Sequence, residues 1–147
     1  MKKSRENDVV FDWDEFMAFE GNSAPYIQYS YVRAIRILEK APPIPNPFPQ
    51  REKGNENFDT NEETDLIKLL LGYEDVLLET SFKNMPHILC KYAYDLTKAF
   101  SSFYNNIHIL NEENEGKKLL RLKLVDEYAR TLKDVFSLLA IEMPDRM

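Results

Sequence analysis

The sequence is short of the residues that most often carry chemistry: it has one cysteine, two histidines and four glycines in 147 residues. Cys90 alone forms no internal disulfide, which fits a reducing cytoplasm. Cys90, His87 and His108 are too few for a Cys/His zinc site, and the two histidines lack the spacing of a helical metal pair. Gly21, Gly54, Gly72 and Gly116 stand far apart, so there is no glycine-rich phosphate loop. Cys90 and His87 are three residues apart, but a cysteine inside an apolar stripe is ordinarily an inert core thiol. No apolar run approaches the ~18 residues of a membrane span. Met1-Lys2-Lys3-Ser4-Arg5 leads into Glu6, Asn7 and Asp8, not into the apolar core of a secretory signal. No catalytic or metal centre emerges from the chain.

What is present suits one helical core. The apolar fraction is 44%, and so little glycine argues against a turn-rich all-β fold. The net charge of -6 opposes a simple nucleic-acid binder, but it is unevenly spread. Residues 1–24 carry a net -3 and residues 51–82 a net -6, whereas 25–50 and 83–110 each carry +2 and 111–147 carry -1. The two mildly basic segments are also rich in Tyr and Phe. A local basic face can hold phosphate on an acidic protein.

Periodicity predicts an all-α, antiparallel bundle. Residues 12–20 read as a short helix stopped by Gly21. Asn22 or Ser23 can cap the next helix, which starts at about Pro25 and runs to Lys40 with Ile27, Tyr31, Ile35 and Leu38 on one face. Residues 41–60 form a proline-rich connection, with five prolines between Ala41 and Pro49. Thr60 and Glu63 have the spacing of a capping box. Two short helices, or one bent at Gly72, are expected to follow. A long helix is predicted from Met85 to about Ile107, and a last one from about Glu115 to Leu139. No segment alternates with period two, and no internal repeat is present.

Three blocks are specific enough to carry a resemblance. They are Phe19-Glu20-Gly21-Asn22-Ser23-Ala24-Pro25-Tyr26-Ile27-Gln28-Tyr29-Ser30-Tyr31-Val32-Arg33, then Ala99-Phe100-Ser101-Ser102-Phe103-Tyr104-Asn105-Asn106-Ile107-His108-Ile109-Leu110, and the closing stretch from Leu138 to Met147. In this order and spacing they resemble the C-terminal part of arginyl-tRNA synthetases, class I aminoacyl-tRNA synthetases. The resemblance covers nearly the whole chain outside 41–57. It implies that residues 1–24 are the tail of a catalytic domain and that 25–147 are a helical anticodon-binding domain of the DALR type. The nucleotide-binding core would then lie upstream. Neither a His-x-Gly-His signature nor a Lys-Met-Ser-Lys loop occurs in these residues. The parent would use ATP with magnesium, and this fragment would hold no cofactor and be inactive by itself. Its partners would be arginine tRNA and the upstream catalytic domain, with no membrane involved.

The resemblance also nominates residues. Tyr104, which follows the Phe-x-x-Phe turn, His108 four residues on, and the terminal Met147 would lie at the anticodon. Tyr104 and His108 share a face if the helix persists that far, which suits unpaired bases stacking on aromatic rings. Lys98 and Arg146 are phosphate contacts on charge alone. Tyr26, Gln28, Tyr29 and Arg33 would chiefly knit the bundle to the catalytic core and secondarily touch tRNA, a face that in the isolated chain would be bare and could drive self-association. The sequence departs from the family at Ala140, where glycine is usual, and at Met143 and Asp145. From the residues alone Tyr104 reads as core. Two other roles fit the pattern: a free-standing DALR-type tRNA-binding module, and a helical protein-interaction bundle.

Overall fold

The computed structural model describes residues 23–44 and 59–144. The expected helix at 12–20, most of the tail at 1–24, the proline-rich segment from 45 to 58, and Arg146 and Met147 lie outside the described residues. Five helices are described: α1 Ala24–Lys40, α2 Asn61–Leu71, α3 Tyr73–Lys83, α4 His87–Asn106 and α5 Glu115–Leu138. The described residues contain no strand.

Local chemistry sets the helix ends. Ser23, not Asn22, caps α1: its Oγ accepts the Tyr26 N–H at 3.4 Å. Thr60 and Glu63 form the expected reciprocal box, and Glu63 also accepts the Asp59 N–H. Gly72 divides α2 from α3, so two helices stand where the sequence left the choice open. Asn84 ends α3 in the left-handed region, with φ 52°. The last helix, α5, ends with the Ala140 N–H on the Ser137 carbonyl and the Ile141 N–H on the Phe136 carbonyl. This Schellman closure requires a left-handed residue, and Ala140 supplies it at φ 57°. Its Cβ makes that conformation cost about 1–2 kcal/mol. Ala140→Gly is therefore expected to stabilise the chain by about 1 kcal/mol, raising Tm by roughly 2–4 °C in a thermal melt.

Cross-bundle contacts fix the helix directions. Asn106 on α4 donates to Glu62 on α2 at 2.9 Å, and Tyr92 on α4 donates to the Leu69 carbonyl at 3.0 Å, so α2 and α4 run opposite ways. Early α1 residues meet late ones of α5: Tyr128 donates to Ser30, and Gln28 reaches the Glu142 carbonyl. Helices α1 and α4 thus run one way, and α2 and α5 the other. The core gathers the apolar stripes: Ile27, Tyr31 and Ala34 from α1, Leu66 from α2, Leu96, Phe100 and Phe103 from α4, and Val125, Leu132 and Val135 from α5. At its centre Phe100 lies flat on Tyr128, with ring centroids 3.9 Å apart and planes 3° from parallel. Burial pushes the Tyr128 phenol well above its ordinary pKa, so it stays neutral and bridges Ser30 at 3.0 Å and Thr97 at 3.4 Å.

Candidate nucleic-acid interface

At one end of the bundle, α1, the C-terminal turn of α4 and the chain after it enclose an open groove of about 550 Å³. Tyr29, Arg33, Arg36 and Lys40 line it from α1, Tyr104 and Asn105 from α4, and His108 and Asn111 from the connecting loop. The intervals of four, three and four along α1 place its four residues on one helical face. Val32, Ile37, Ile107, Ile109 and Leu110 supply the apolar lining. Among the described residues no carboxylate lines the groove, on a chain whose net charge is -6.

Arg33 joins two of its rings. Its guanidinium lies 4.6 Å from the centroid of Tyr104 and 5.0 Å from that of Tyr29, stacked between them. Hydrogen bonding to Arg33, together with the charges of Arg33 and Arg36, holds the Tyr29 phenol below its ordinary pKa. Tyr104 is 39% exposed, so it is not the core residue that periodicity alone suggested. Its inner edge packs on Phe100, with centroids 6.5 Å apart. The result is an aromatic–cation–aromatic stack anchored in the core at one side and open to solvent at the other.

His108 enters the groove by a different route from the one its spacing suggested. Helix α4 stops at Asn106 and Ile107 is extended, with φ -121° and ψ 126°. Tyr104 and His108 are therefore not successive turns of one helix. Ile107 and Ile109 are both buried, and the extended alternation turns His108 outward between them. Arg121 pins this loop. Its Nε donates to buried Glu63 at 2.7 Å, and its second donor nitrogen reaches Glu112 and the His108 carbonyl. The Asn114 backbone N–H, followed by Arg121, holds the Glu112 carboxyl below its usual range.

The other nominated residues divide between faces. Tyr29 and Arg33 line the groove. Tyr26 turns the other way, bonding Ser101 at 3.1 Å and packing on Tyr94. Gln28 is spent on the Glu142 carbonyl at 3.1 Å, tying the chain after α5 to α1. Lys98 lies in a second groove between α2 and α4, among Glu62, Asp65, Lys68 and Asp95, and apart from Tyr104. The structure adds Arg36, Lys40, Asn105 and Asn111, which the sequence did not single out. The spacing of Arg33, Arg36 and Lys40, in a segment of net +2, was the available signal. Among the described residues no group of His, Cys, Asp and Glu is placed to hold a metal ion, and no helix is long and apolar enough to cross a membrane.

A helical bundle ending in a cationic aromatic groove is the class of structure to which the comparisons lead. The sequence model of the DALR anticodon binding domain matches residues 27–147, and the chain belongs to that family. It is 41% identical over its full length to the arginine–tRNA ligase of Sodalis glossinidius (strain morsitans), and 37% identical to that of Clostridium botulinum (strain 657 / Type Ba4). It spans 25% of the length of each. Among solved structures it resembles arginyl-tRNA synthetase of Plasmodium falciparum, with a TM-score of 0.82, 28% identity and coverage of 99% of this chain and 25% of that one. That of Thermus thermophilus matches with a TM-score of 0.73 and 33% identity over 88% of this chain and 22% of that one. The bundle expected from periodicity and the family expected from the three blocks are both found.

Proposed function

We propose that this chain binds the anticodon stem-loop of arginine tRNA, as the recognition module of an ATP-dependent arginine–tRNA ligase. One observation carries the proposal: Arg33 lies over both Tyr29 and Tyr104 in a groove that no carboxylate lines among the described residues. Unpaired bases stack on tyrosine rings and on guanidinium planes, and those surfaces tolerate any base. Asn105, Asn111 and His108 supply donors and acceptors at the rim, where base edges can be read. Tyr104 and His108 take the anticodon, with Tyr29 and Arg33 beside them and Lys98 as an outlying phosphate contact. The resemblance adds Met147 to the anticodon set, and charge adds Arg146 as a phosphate contact. The module positions the tRNA. Arginine activation, with ATP and magnesium, belongs to a catalytic domain outside these residues. The setting is the cytoplasm.

The support is convergent. The relatives are arginine–tRNA ligases, and the chain corresponds to a quarter of their length. A gel-shift titration of the 147-residue chain with arginine tRNA tests the proposal. Binding at low salt that weakens as salt rises is the expected result. No binding at low salt would favour a protein-interaction bundle instead. A specific feature supports a protein contact in addition: Leu78 and Phe82, four residues apart on α3, are exposed, Phe82 by 90%, and Leu71 at the end of α2 is exposed as well. We place on these residues, rather than on Tyr26 and Gln28, any self-association of the isolated chain.

A further inference from the structure

We propose that Arg36 and Lys40 form a phosphate track that carries the RNA backbone past the Tyr29–Arg33–Tyr104 stack, an assignment that rests on the function proposed above. Arg33, Arg36 and Lys40 recur at intervals of three and four along α1 and all line the groove. With a helical rise of ~1.5 Å per residue, Lys40 stands about 6 Å along the axis from Arg36 and about 10 Å from Arg33. The cations therefore extend beyond the rings, along the groove toward His108 and Asn111. Stacking alone would need only Arg33. A guanidinium grips phosphate with paired donors and an ammonium acts as a point charge, so an arginine followed by a lysine suits consecutive backbone phosphates.

Among the described residues no acidic side chain lines the groove beside these cations. Glu39 shares the helix but does not line the groove. The groove between α2 and α4 shows the contrast: there Lys68 and Lys98 stand among Glu62, Asp65 and Asp95, and the cations are interleaved with acids. A purely structural account is also available. Lys40 lies in the last turn of α1, where a cation favours the helix dipole, and Arg36 already has an interaction within the protein. The two accounts differ in what salt does to RNA affinity.

The test is a fluorescence-anisotropy titration of the 147-residue chain with a labelled arginine-tRNA anticodon stem-loop, across salt from about 0.05 to 0.5 M. Each phosphate contact to unpaired RNA contributes about 0.7 to the slope of log K against log salt. Lys40→Gln and Arg36→Gln should each lower the slope by about 0.7, which is about fivefold weaker binding at ~0.1 M salt, closing toward parity near 1 M. Lys40→Arg should keep the original slope. Tyr104→Ala should weaken binding at every salt concentration with the slope unchanged. If both glutamine variants bind with the original slope, the track is overturned while the RNA site stands. If the unaltered chain binds no RNA at low salt, the site and the track fall together. A drop in Tm with no change in slope supports the structural account and overturns the track.

Discussion

Replacing Tyr104 with alanine should weaken the affinity for arginine tRNA by about 1–3 kcal/mol, the contribution of a single base–aromatic stack. That is roughly a fivefold to hundredfold loss. If the chain serves an arginine–tRNA ligase as proposed, the loss in that enzyme should appear in kcat/KM for tRNA, with arginine activation by ATP unchanged. The ring accounts for the effect, so Tyr104→Phe should retain most of the affinity. The ring is 39% exposed and packs on the core at Phe100, so the alanine variant should stay folded. Circular dichroism before the binding assay checks this. Arg33 would lose one of its two stacking partners, and part of the loss would come from its release. An unchanged aminoacylation rate would remove Tyr104 from the site.

Phe100→Ala should cost about 3–5 kcal/mol of stability, the largest single effect expected in this chain. Phe100 is fully buried and lies 3.9 Å from the parallel ring of Tyr128. Its removal leaves a void beside a phenol that also bridges α1 and α4 through Ser30 and Thr97. A domain holds only about 5–15 kcal/mol in total, so the loss is a large share of what keeps the bundle closed. Urea unfolding should show a lower midpoint with the slope unchanged. A loss below about 1 kcal/mol would mean that the Phe100–Tyr128 stack is not the structural centre. Phe100 also lies one turn before Tyr104, so the variant should loosen one wall of the groove and weaken tRNA binding indirectly.

The helices were legible in the sequence because their signals are local. Apolar residues at intervals of three and four, the Thr60–Glu63 box and Gly72 each act within a few residues, and α1, α4 and α5 fall within one or two residues of the expected spans. The groove was legible only in part, because it is assembled across elements. The resemblance nominates Tyr104 and His108, and helical spacing would give them one face, yet the helix ends before His108. Both line the groove, with Ile107 and Ile109 drawn into the core and Arg121 clamping the loop from α5. Arg121 reads as an ordinary surface cation until its distant partners Glu63 and Glu112 are placed. The resemblance puts Tyr29 and Arg33 at the join to a catalytic domain or facing tRNA, and nothing in the sequence says that α1 lies alongside the end of α4. Lys98 was grouped with Tyr104 by charge, but six residues along a helix turn it to another face, among acids. Ala140 stands where the family usually has glycine, and the turn takes the left-handed conformation there nonetheless, at φ 57°.

The most direct test of the RNA site is a map of amide chemical shifts as the 147-residue chain is titrated with the anticodon stem-loop of arginine tRNA. The largest changes should fall on Tyr29, Arg33, Arg36, Tyr104 and His108, with Leu78 and Phe82 on α3 unaffected. Changes centred on α2 and α3, or none at saturating RNA, would contradict the assignment of the groove.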